Sequence, residues 1–278
     1  MSHLFTISAV LICTTAIGSA QIQTVVNDNR GEGKVDWSQR KIIGIGVATP
    51  NPNLPESVAQ PSATREAIRL ARRNALETVK GIHLNSSATV RDFITTSDAV
   101  TNRIINFVNG FEQNKQIKTV EDGALQTIIE IPLDGAEGLG GTLLSNRLAD
   151  KPAPKSFEGK KAKTAQSFTG LIIDCGGIDL KPALSPSVLD EAGKEVYGAT
   201  FASREWALKH GLVRYAGRAS ESAYRSRVGD NPAKVKAIKA VGDARTDPII
   251  SNKDAATIRS TPANLNFLSE CRIVILID

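Results

Sequence analysis

Aromatic and sulfur-containing side chains are scarce in this chain of 278 residues. Phe, Trp and Tyr together make up 5% of the sequence, and there is a single Met. The core must therefore be built from Ile, Leu, Val and Ala, within a composition that is otherwise ordinary for a globular protein. The scarcity of aromatic rings also removes the stacking platforms on which nucleic acid strands are usually held.

The chain has only three histidines, and two of them, His83 and His210, lie beyond the first twenty residues. Neither has a Ser, Cys or carboxylate at a spacing typical of a catalytic triad or a metal pair. The glycines at 44 and 46 are not followed by a helix start, which a dinucleotide-binding loop requires. The glycine-rich run 138–142 lacks the Lys of a phosphate-binding loop. We therefore predict no enzyme activity, no bound metal and no cofactor.

The net charge of +5 is dispersed along the chain, because 34 basic residues are interspersed with 29 acidic ones. The densest basic run, 159–163, lies in a Pro-containing stretch and is typical of a solvated spacer. Nucleic-acid-binding proteins usually cluster basic residues on one face, so we predict no nucleic acid partner. A weak attraction to anionic polymers or lipid headgroups of the cell envelope is compatible with this charge.

The first twenty residues contain no Lys, Arg, Asp or Glu, and they end in Gly18-Ser19-Ala20. An apolar run of this length followed by small residues is typical of a secretory signal peptide. It is too short to span a bilayer, which needs about twenty apolar residues. We expect cleavage after Ala20 and a periplasmic location, with association with the outer membrane as a further expectation. Lipidation of Cys13 is the less favoured alternative, because Ile12 is larger than the residue that normally precedes a lipidated Cys.

The remaining chain is predicted to have an α+β fold with two small domains, each a mostly antiparallel sheet with helices packed on it. Changes in composition suggest the boundaries. They are a signal peptide at 1–20, a flexible lead-in at 21–36, a first α+β domain at 37–133, a linker at 134–166 and a second α+β domain at 167–278.

The clearest helix of the first domain follows a proline-broken loop at 48–55. Ser62 is a suitable N-cap, and Gly81 is placed to end the helix. An apolar stripe runs from Ala67 to Val79 at helical spacing. Arginines 65, 69, 72 and 73 occupy the other side of this helix. We interpret them as a solvated face, with an acidic partner as the alternative.

Two cysteines of the second domain lie at the ends of β-like runs, Cys175 after 171–174 and Cys271 before 272–277. In an oxidising compartment an even pair of cysteines favours a disulfide. We predict this bond, with two free buried thiols as the alternative. The two runs are expected to be neighbours in one sheet, which would bring the cysteines close together.

A segment of the second domain concentrates Arg and Tyr, residue types that are frequent in interface hot spots. It is predicted as a candidate interaction surface, and a polar surface helix is the alternative. The residues of this candidate surface are Arg214, Tyr215, Arg218, Tyr224, Arg225 and Arg227.

The order of elements in 37–133, with the helix 67–76 running into Gly81, then Val108-Asn109-Gly110 and the turn Asp122-Gly123, resembles a known family pattern. It is similar to the N-terminal domain of flagellar assembly protein T and to the lipoprotein-20 family of small outer-membrane lipoproteins in Gram-negative bacteria. The second domain resembles regions of uncharacterised exported proteins. The resemblance implies a non-catalytic structural part of the envelope, associated with the flagellum in one branch of the family.

We therefore expect a non-catalytic exported envelope protein that acts as a structural or assembly component. Its expected partners are proteins of the cell envelope, including copies of itself, and peripheral association with a membrane or with peptidoglycan is compatible with its charge. The alternative function is a soluble periplasmic module that binds a small ligand or a glycan. A cleft with converging polar groups would favour this alternative.

Overall fold

A computed structural model describes residues 22–28, 30–111, 116–135, 137–144, 166–218 and 221–278. The predicted signal peptide, most of the predicted linker and the basic run 159–163 lie outside these residues. The described part combines helices with several sheets, which confirms the predicted α+β class.

The first half of the chain is built on one antiparallel sheet of five strands. In chain order these are β1 (Ile22–Asp28), β2 (Gly31–Asp36), β3 (Lys41–Ala48), β6 (Gln116–Thr119) and β7 (Leu125–Pro132). Their order across the sheet is β1-β2-β3-β7-β6. The apolar segment 41–47 lies in the central strand, β3, which pairs with β7 over its whole length.

The segment 21–36 is not the predicted flexible lead-in, because β1 and β2 form an antiparallel hairpin along the edge of this sheet. Its polar, glycine-containing sequence does not have the alternating apolar pattern of a half-buried strand. Two of the glycines have a structural reason. Gly31 has a positive φ of 128°, and a Cβ at Gly33 would meet the side chain of Thr78.

A long helix, α1 (Glu56–Gly81), covers one face of the sheet. It begins six residues before the predicted cap Ser62, after Pro55, and it ends at Gly81 as predicted. Its buried side is mostly small: Ala59, Ala63, Ala67, Ala71 and Ala75 all face inward. The close approach of α1 to the sheet also requires glycine on β3, because a Cβ at Gly46 would lie 2.1 Å from the carbonyl oxygen of Ala67. The glycines at 44 and 46 are therefore packing residues.

The segment after α1 forms a small hairpin and two helices. These are β4 (His83–Asn85), β5 (Ala88–Thr89), α2 (Val90–Ile94) and α3 (Asp98–Gly110). Thr89 and Asp92 form a reciprocal capping box at the start of α2. The glycine-rich run 138–142 falls largely within a short helix, α4 (Leu139–Leu144), whose Leu139 and Leu143 are buried in the core.

The second half contains a parallel sheet of four strands, β8 (Gly170–Asp174), β11 (Arg214–Gly217), β12 (Pro232–Lys236) and β15 (Ile273–Ile277), in the order β11-β15-β8-β12. The two apolar runs that we expected to be neighbours, β8 and β15, lie side by side in the middle. Strands of a parallel sheet are buried on both faces and therefore have nearly unbroken apolar sequences.

A second sheet in this half has the order β10-β9-β14-β13, from β9 (Val188–Leu189), β10 (Glu195–Tyr197), β13 (Lys239–Val241) and β14 (Asp247–Ile249). Strands β9 and β10 pair antiparallel as a hairpin. The helices of this half are α5 (Arg204–His210), α6 (Glu221–Val228), α7 (Asn252–Ile258) and α8 (Pro262–Ser269). Ser203 and Ser251 cap α5 and α7 through their side chains.

The two halves pack against each other and share one buried apolar cluster. Trp37 meets Tyr215 edge to face, with the ring centroids 5.4 Å apart. Arg40 forms a two-pronged ion pair with Asp134, and this pair lies against Gly211 of the second half. Backbone hydrogen bonds also cross between the halves, at Leu184 to His83, Ser185 to Leu84 and Ala244 to Ser86.

Candidate functional sites

A groove runs along the outer face of α1, between this helix and the segment that contains α2 and α3. It consists of two depressions of about 570 and 270 Å³ that share Leu76 and Ile105. Its floor is apolar and partly open to solvent, since Ile105 is 36% exposed. We call it the basic groove. Its lining residues are Arg65, Ile68, Arg69, Arg72, Arg73, Leu76, Glu77, Lys80, Arg91, Ile94, Thr95, Thr101, Ile105 and Asn109.

Positive charge dominates the basic groove. Its lining has six basic side chains and one acidic side chain, Glu77. Glu77 is already paired with Lys80 at 2.7 Å and with Arg91 at 3.4 Å. Just outside the lining, the pKa of Glu66 is lowered by a hydrogen bond from Arg69 and further by nearby arginine charges. The two acidic groups at the groove thus have basic partners, and the lining carries five more basic than acidic side chains, of which Arg65, Arg69 and Arg91 are exposed.

A second concave site lies at the carboxyl ends of the parallel strands β8 and β15. It is a cleft of about 620 Å³ between the two halves, because β1 and His83 form one of its walls. Crevices at the carboxyl ends of parallel strands are frequent ligand sites in sheets of this kind. We call it the strand-end cleft. It is lined by Ile22, Gln23, His83, Cys175, Gly177, Asp179, Leu180, Lys181, Pro182, Ile277 and Asp278.

The charges around the strand-end cleft are arranged in pairs. Asp179 lies 2.6 Å from Lys181 and 3.1 Å from Arg245. The carboxylate of Asp278 accepts a hydrogen bond of 2.7 Å from the backbone N–H of Gly177. Burial lowers the pKa of His83, so its imidazole is neutral at pH 7. The cleft therefore offers polar groups without a strong excess of either charge.

Beside the cleft, Asp174 and Arg218 form an ion pair at 2.8 Å at the ends of β8 and β11. Burial acts to raise the pKa of Asp174, but the N–H of Gly176 and the guanidinium of Arg218 together hold it below its usual value. The run 174–177 thus forms a polar turn at the mouth of the cleft, after the last residue of β8.

The predicted disulfide is not formed: Cys175 and Cys271 are free and buried. The strands that carry them are neighbours, but they run parallel, and Leu276 pairs with Asp174. The cysteines therefore lie at opposite ends of the strand pair, about six residues or 20 Å apart. The Cα atoms of a disulfide are less than about 7 Å apart. Burial raises the pKa of Cys175 to about 12 and that of Cys271 to about 11, which favours the protonated thiol over the nucleophilic thiolate.

The predicted interaction surface around residues 214–227 does not form one exposed face. Tyr215 and Tyr224 are buried in the core, and the hydroxyl of Tyr215 bonds to the backbone of Ala183. Arg227 donates to the two carbonyls at the end of α5, at 2.7 and 2.8 Å, and burial lowers its pKa to about 10. Arg214 donates to the carbonyl of Ser38.

Only Arg218 and Arg225 of that set are exposed, and each has an acidic partner. These six side chains mainly hold the second half together and join it to the first. Arg and Tyr can also make internal contacts of this kind, so composition alone does not separate an internal contact from an interface.

The described residues contain no group of three or more His, Cys, Asp or Glu side chains that would suit a metal ion. His83 and His210 belong to separate parts of the fold, and His210 stacks on Trp206 with a centroid separation of 5.1 Å. In the same part of the chain, no helix combines the length and the apolar character needed to cross a bilayer.

The fold is that of an α+β protein whose described part has several concave surfaces, the basic groove and the strand-end cleft among them. The second half, residues 170–278, matches the family model of the second domain of Tp0624 from Treponema pallidum. This match covers less than half of the chain. A search of curated proteins finds no match.

The predicted resemblance to flagellar assembly protein T and to the lipoprotein-20 family is wrong. Neither family matches residues 37–133, and the match that is found lies in the other half of the chain. The resemblance depended on small residues and glycines around the helix. In the structure these residues serve close packing of α1 on β3, a requirement that unrelated folds can share.

The sequence analysis gave an acidic partner for the arginine face of α1 only as the alternative to a solvated face, and it missed the strand-end cleft. The signal for the basic groove was present: arginines 65, 69, 72 and 73 and the apolar Ile68 and Leu76 recur at helical spacing on one face of α1. The wall formed by α3 is a long-range contact with no local signature. The strand-end cleft likewise needs β1, which we predicted to be flexible.

Proposed function

We propose that this chain is a non-catalytic assembly component of the cell envelope that docks an acidic partner in the basic groove. The observation that carries the proposal is the groove itself: an apolar floor framed by six basic side chains.

The shape of the groove suggests the form of the partner segment. Its lining on α1 extends from Arg65 to Lys80, which corresponds to about 22 Å of helix. An amphipathic helix of about four turns fits such a length and places its apolar face on Ile68, Leu76 and Ile105. Acidic residues along both edges of that helix would meet the flanking arginines. We therefore propose an acidic amphipathic helix of an envelope protein as the occupant.

A photo-crosslinking residue placed at Ile105 tests the docking proposal in cells that make the protein. Ile105 lies on the groove floor, whereas Ile238 is 49% exposed in the other half of the chain and provides the matched control. We expect crosslinks from position 105 to an acidic protein, and none to that protein from position 238. A crosslink between two copies of this chain would identify a self-assembly surface and would overturn the acidic partner.

Charge reversal separates specific docking from chance proximity. Arg65→Glu combined with Arg69→Glu reverses two exposed side chains of the groove, and Arg103→Glu reverses an exposed arginine outside its lining. The double variant is expected to lose the crosslink from position 105 while keeping the wild-type melting temperature. The Arg103→Glu control is expected to keep both. Equal crosslinking in all three proteins would contradict the proposal.

A further inference from the structure

One hydrogen-bond acceptor in the wall of the strand-end cleft has no donor among the described residues. Gln23 extends from β1 into its wall, and the Oε1 atom of Gln23 is buried without a hydrogen-bond partner among the described residues. A buried acceptor left without a donor costs stability unless another molecule supplies that donor. This atom therefore points to a ligand that carries O–H or N–H groups.

The other polar groups of the cleft narrow the class of ligand. Asp179 and Asp278 provide further acceptors, and Lys181 provides a donor. The carboxylate of Asp179 is already paired with Arg245, and that of Asp278 accepts a hydrogen bond from the Gly177 N–H. A ligand therefore needs no positive charge to compensate these two groups. Apolar surface completes the lining, from Ile22, Leu180, Pro182 and Ile277.

We infer that the strand-end cleft binds a neutral, hydroxylated ligand of the size of a mono- or disaccharide. Sugar hydroxyls both donate and accept hydrogen bonds, so they match the unpaired Gln23 amide oxygen as well as Lys181. The apolar side chains of the cleft would lie against the C–H groups of the sugar ring. A volume of about 620 Å³ lies within the range of small-molecule sites. This inference concerns a different surface from the basic groove and does not depend on it.

Saturation-transfer NMR on the whole chain tests the inference with defined probes. The probes are glucose, N-acetylglucosamine and their β-1,4-linked disaccharides, with glucuronate and glucosamine as charged counterparts. We expect transfer to at least one neutral sugar and none to the charged counterparts. If no neutral sugar shows transfer at millimolar concentration, or if only a charged counterpart does, the inference is wrong.

Gln23→Leu is the main variant because it replaces the side-chain amide, including the unpaired acceptor, by an apolar side chain. Folding should be retained, and binding of the sugar should weaken by about tenfold, the loss of one hydrogen bond. Gln60→Leu, at an exposed position on α1, is the matched control and should bind as the wild type does. Asp179→Asn provides a second test if Gln23→Leu fails to fold.

Unchanged sugar binding in both Gln23→Leu and Asp179→Asn would overturn the assignment to this cleft. The Arg65→Glu/Arg69→Glu variant should bind the sugar normally. A result that refutes sugar binding in the strand-end cleft can therefore be told apart from one that refutes partner docking in the basic groove.

Discussion

Replacement of Gly46 by alanine should destabilise the protein strongly, although it adds only one methyl group. The added Cβ would lie 2.1 Å from the carbonyl oxygen of Ala67, 2.4 Å from the nitrogen of Ala71 and 2.9 Å from the Cβ of Leu70. Non-bonded heavy atoms pack best at about 3.5–4.0 Å. The two closest atoms belong to the backbone of α1, so no side-chain rotation relieves the contact.

The helix must therefore move away from β3, and the layer of small residues between them must loosen. Overpacking of a dense core costs about 1–3 kcal/mol, and the rigid neighbours place Gly46→Ala near the upper end, at about 3 kcal/mol. For a chain of this size that corresponds to a decrease in melting temperature of about 6–12 °C.

Urea denaturation followed by far-UV circular dichroism measures this loss as a decrease in the midpoint at constant slope. Gly110→Ala is the matched control: no atom lies within 4 Å of its Cβ position, at the end of α3. Alanine favours helix over glycine by up to about 1 kcal/mol, so this control should be unchanged or slightly more stable. A Gly46→Ala free energy of unfolding within about 0.5 kcal/mol of the wild-type value would refute the packing argument.

The other predictions concern the two thiols, the Arg227 side chain that binds two carbonyls, and the ion-paired Asp174, all in the second half. Cys175 and Cys271 should resist alkylation in the native protein and react fully after unfolding without reductant; failure to react after unfolding would indicate a disulfide. Arg227→Met should lower the free energy of unfolding by about 2 kcal/mol, since two carbonyls at the end of α5 lose their donor; a change near zero in urea denaturation would show that water replaces it. Asp174→Asn should reduce stability slightly at pH 7, where the wild-type carboxylate is charged. Because the folded-state pKa of Asp174 is lowered, this difference should be constant above about pH 4 and disappear as the pH falls through the folded-state pKa; a difference that grows on acidification, measured by thermal unfolding at a series of pH values, would contradict the assignment.

The sequence pattern was sufficient to predict those strands and helices whose own residues show a clear apolar or helical periodicity. The unbroken apolar runs of β3, β8 and β15 and the stripe of α1 were readable because burial on one or both faces dictates their composition. The hairpin turn with Asp122 at φ 65° and Gly123 at φ 72° was readable for the same local reason.

The features that sequence reasoning did not predict depend on long-range pairing. The direction of β15 relative to β8 decides whether Cys175 and Cys271 meet. The unbroken apolar runs of both strands are typical of a parallel sheet, and the predicted disulfide did not take this signal into account. The sequence of the β1–β2 hairpin has too few apolar residues to predict two strands, and the hairpin is held in the sheet by the pairing of β2 with β3. The walls of the basic groove and of the strand-end cleft come from segments distant in sequence, so neither concavity has a local motif.

The central claim is that the basic groove attaches this protein to an acidic partner in the cell envelope. The most direct measurement is the share of the protein that sediments with the envelope fraction at physiological salt, for the wild type and for Arg65→Glu/Arg69→Glu. The account predicts that the wild type sediments with the envelope and that the double variant shifts to the soluble fraction, with Arg103→Glu behaving as the wild type. Equal distribution of the wild type and the double variant, whether both sediment or both remain soluble, would contradict the claim.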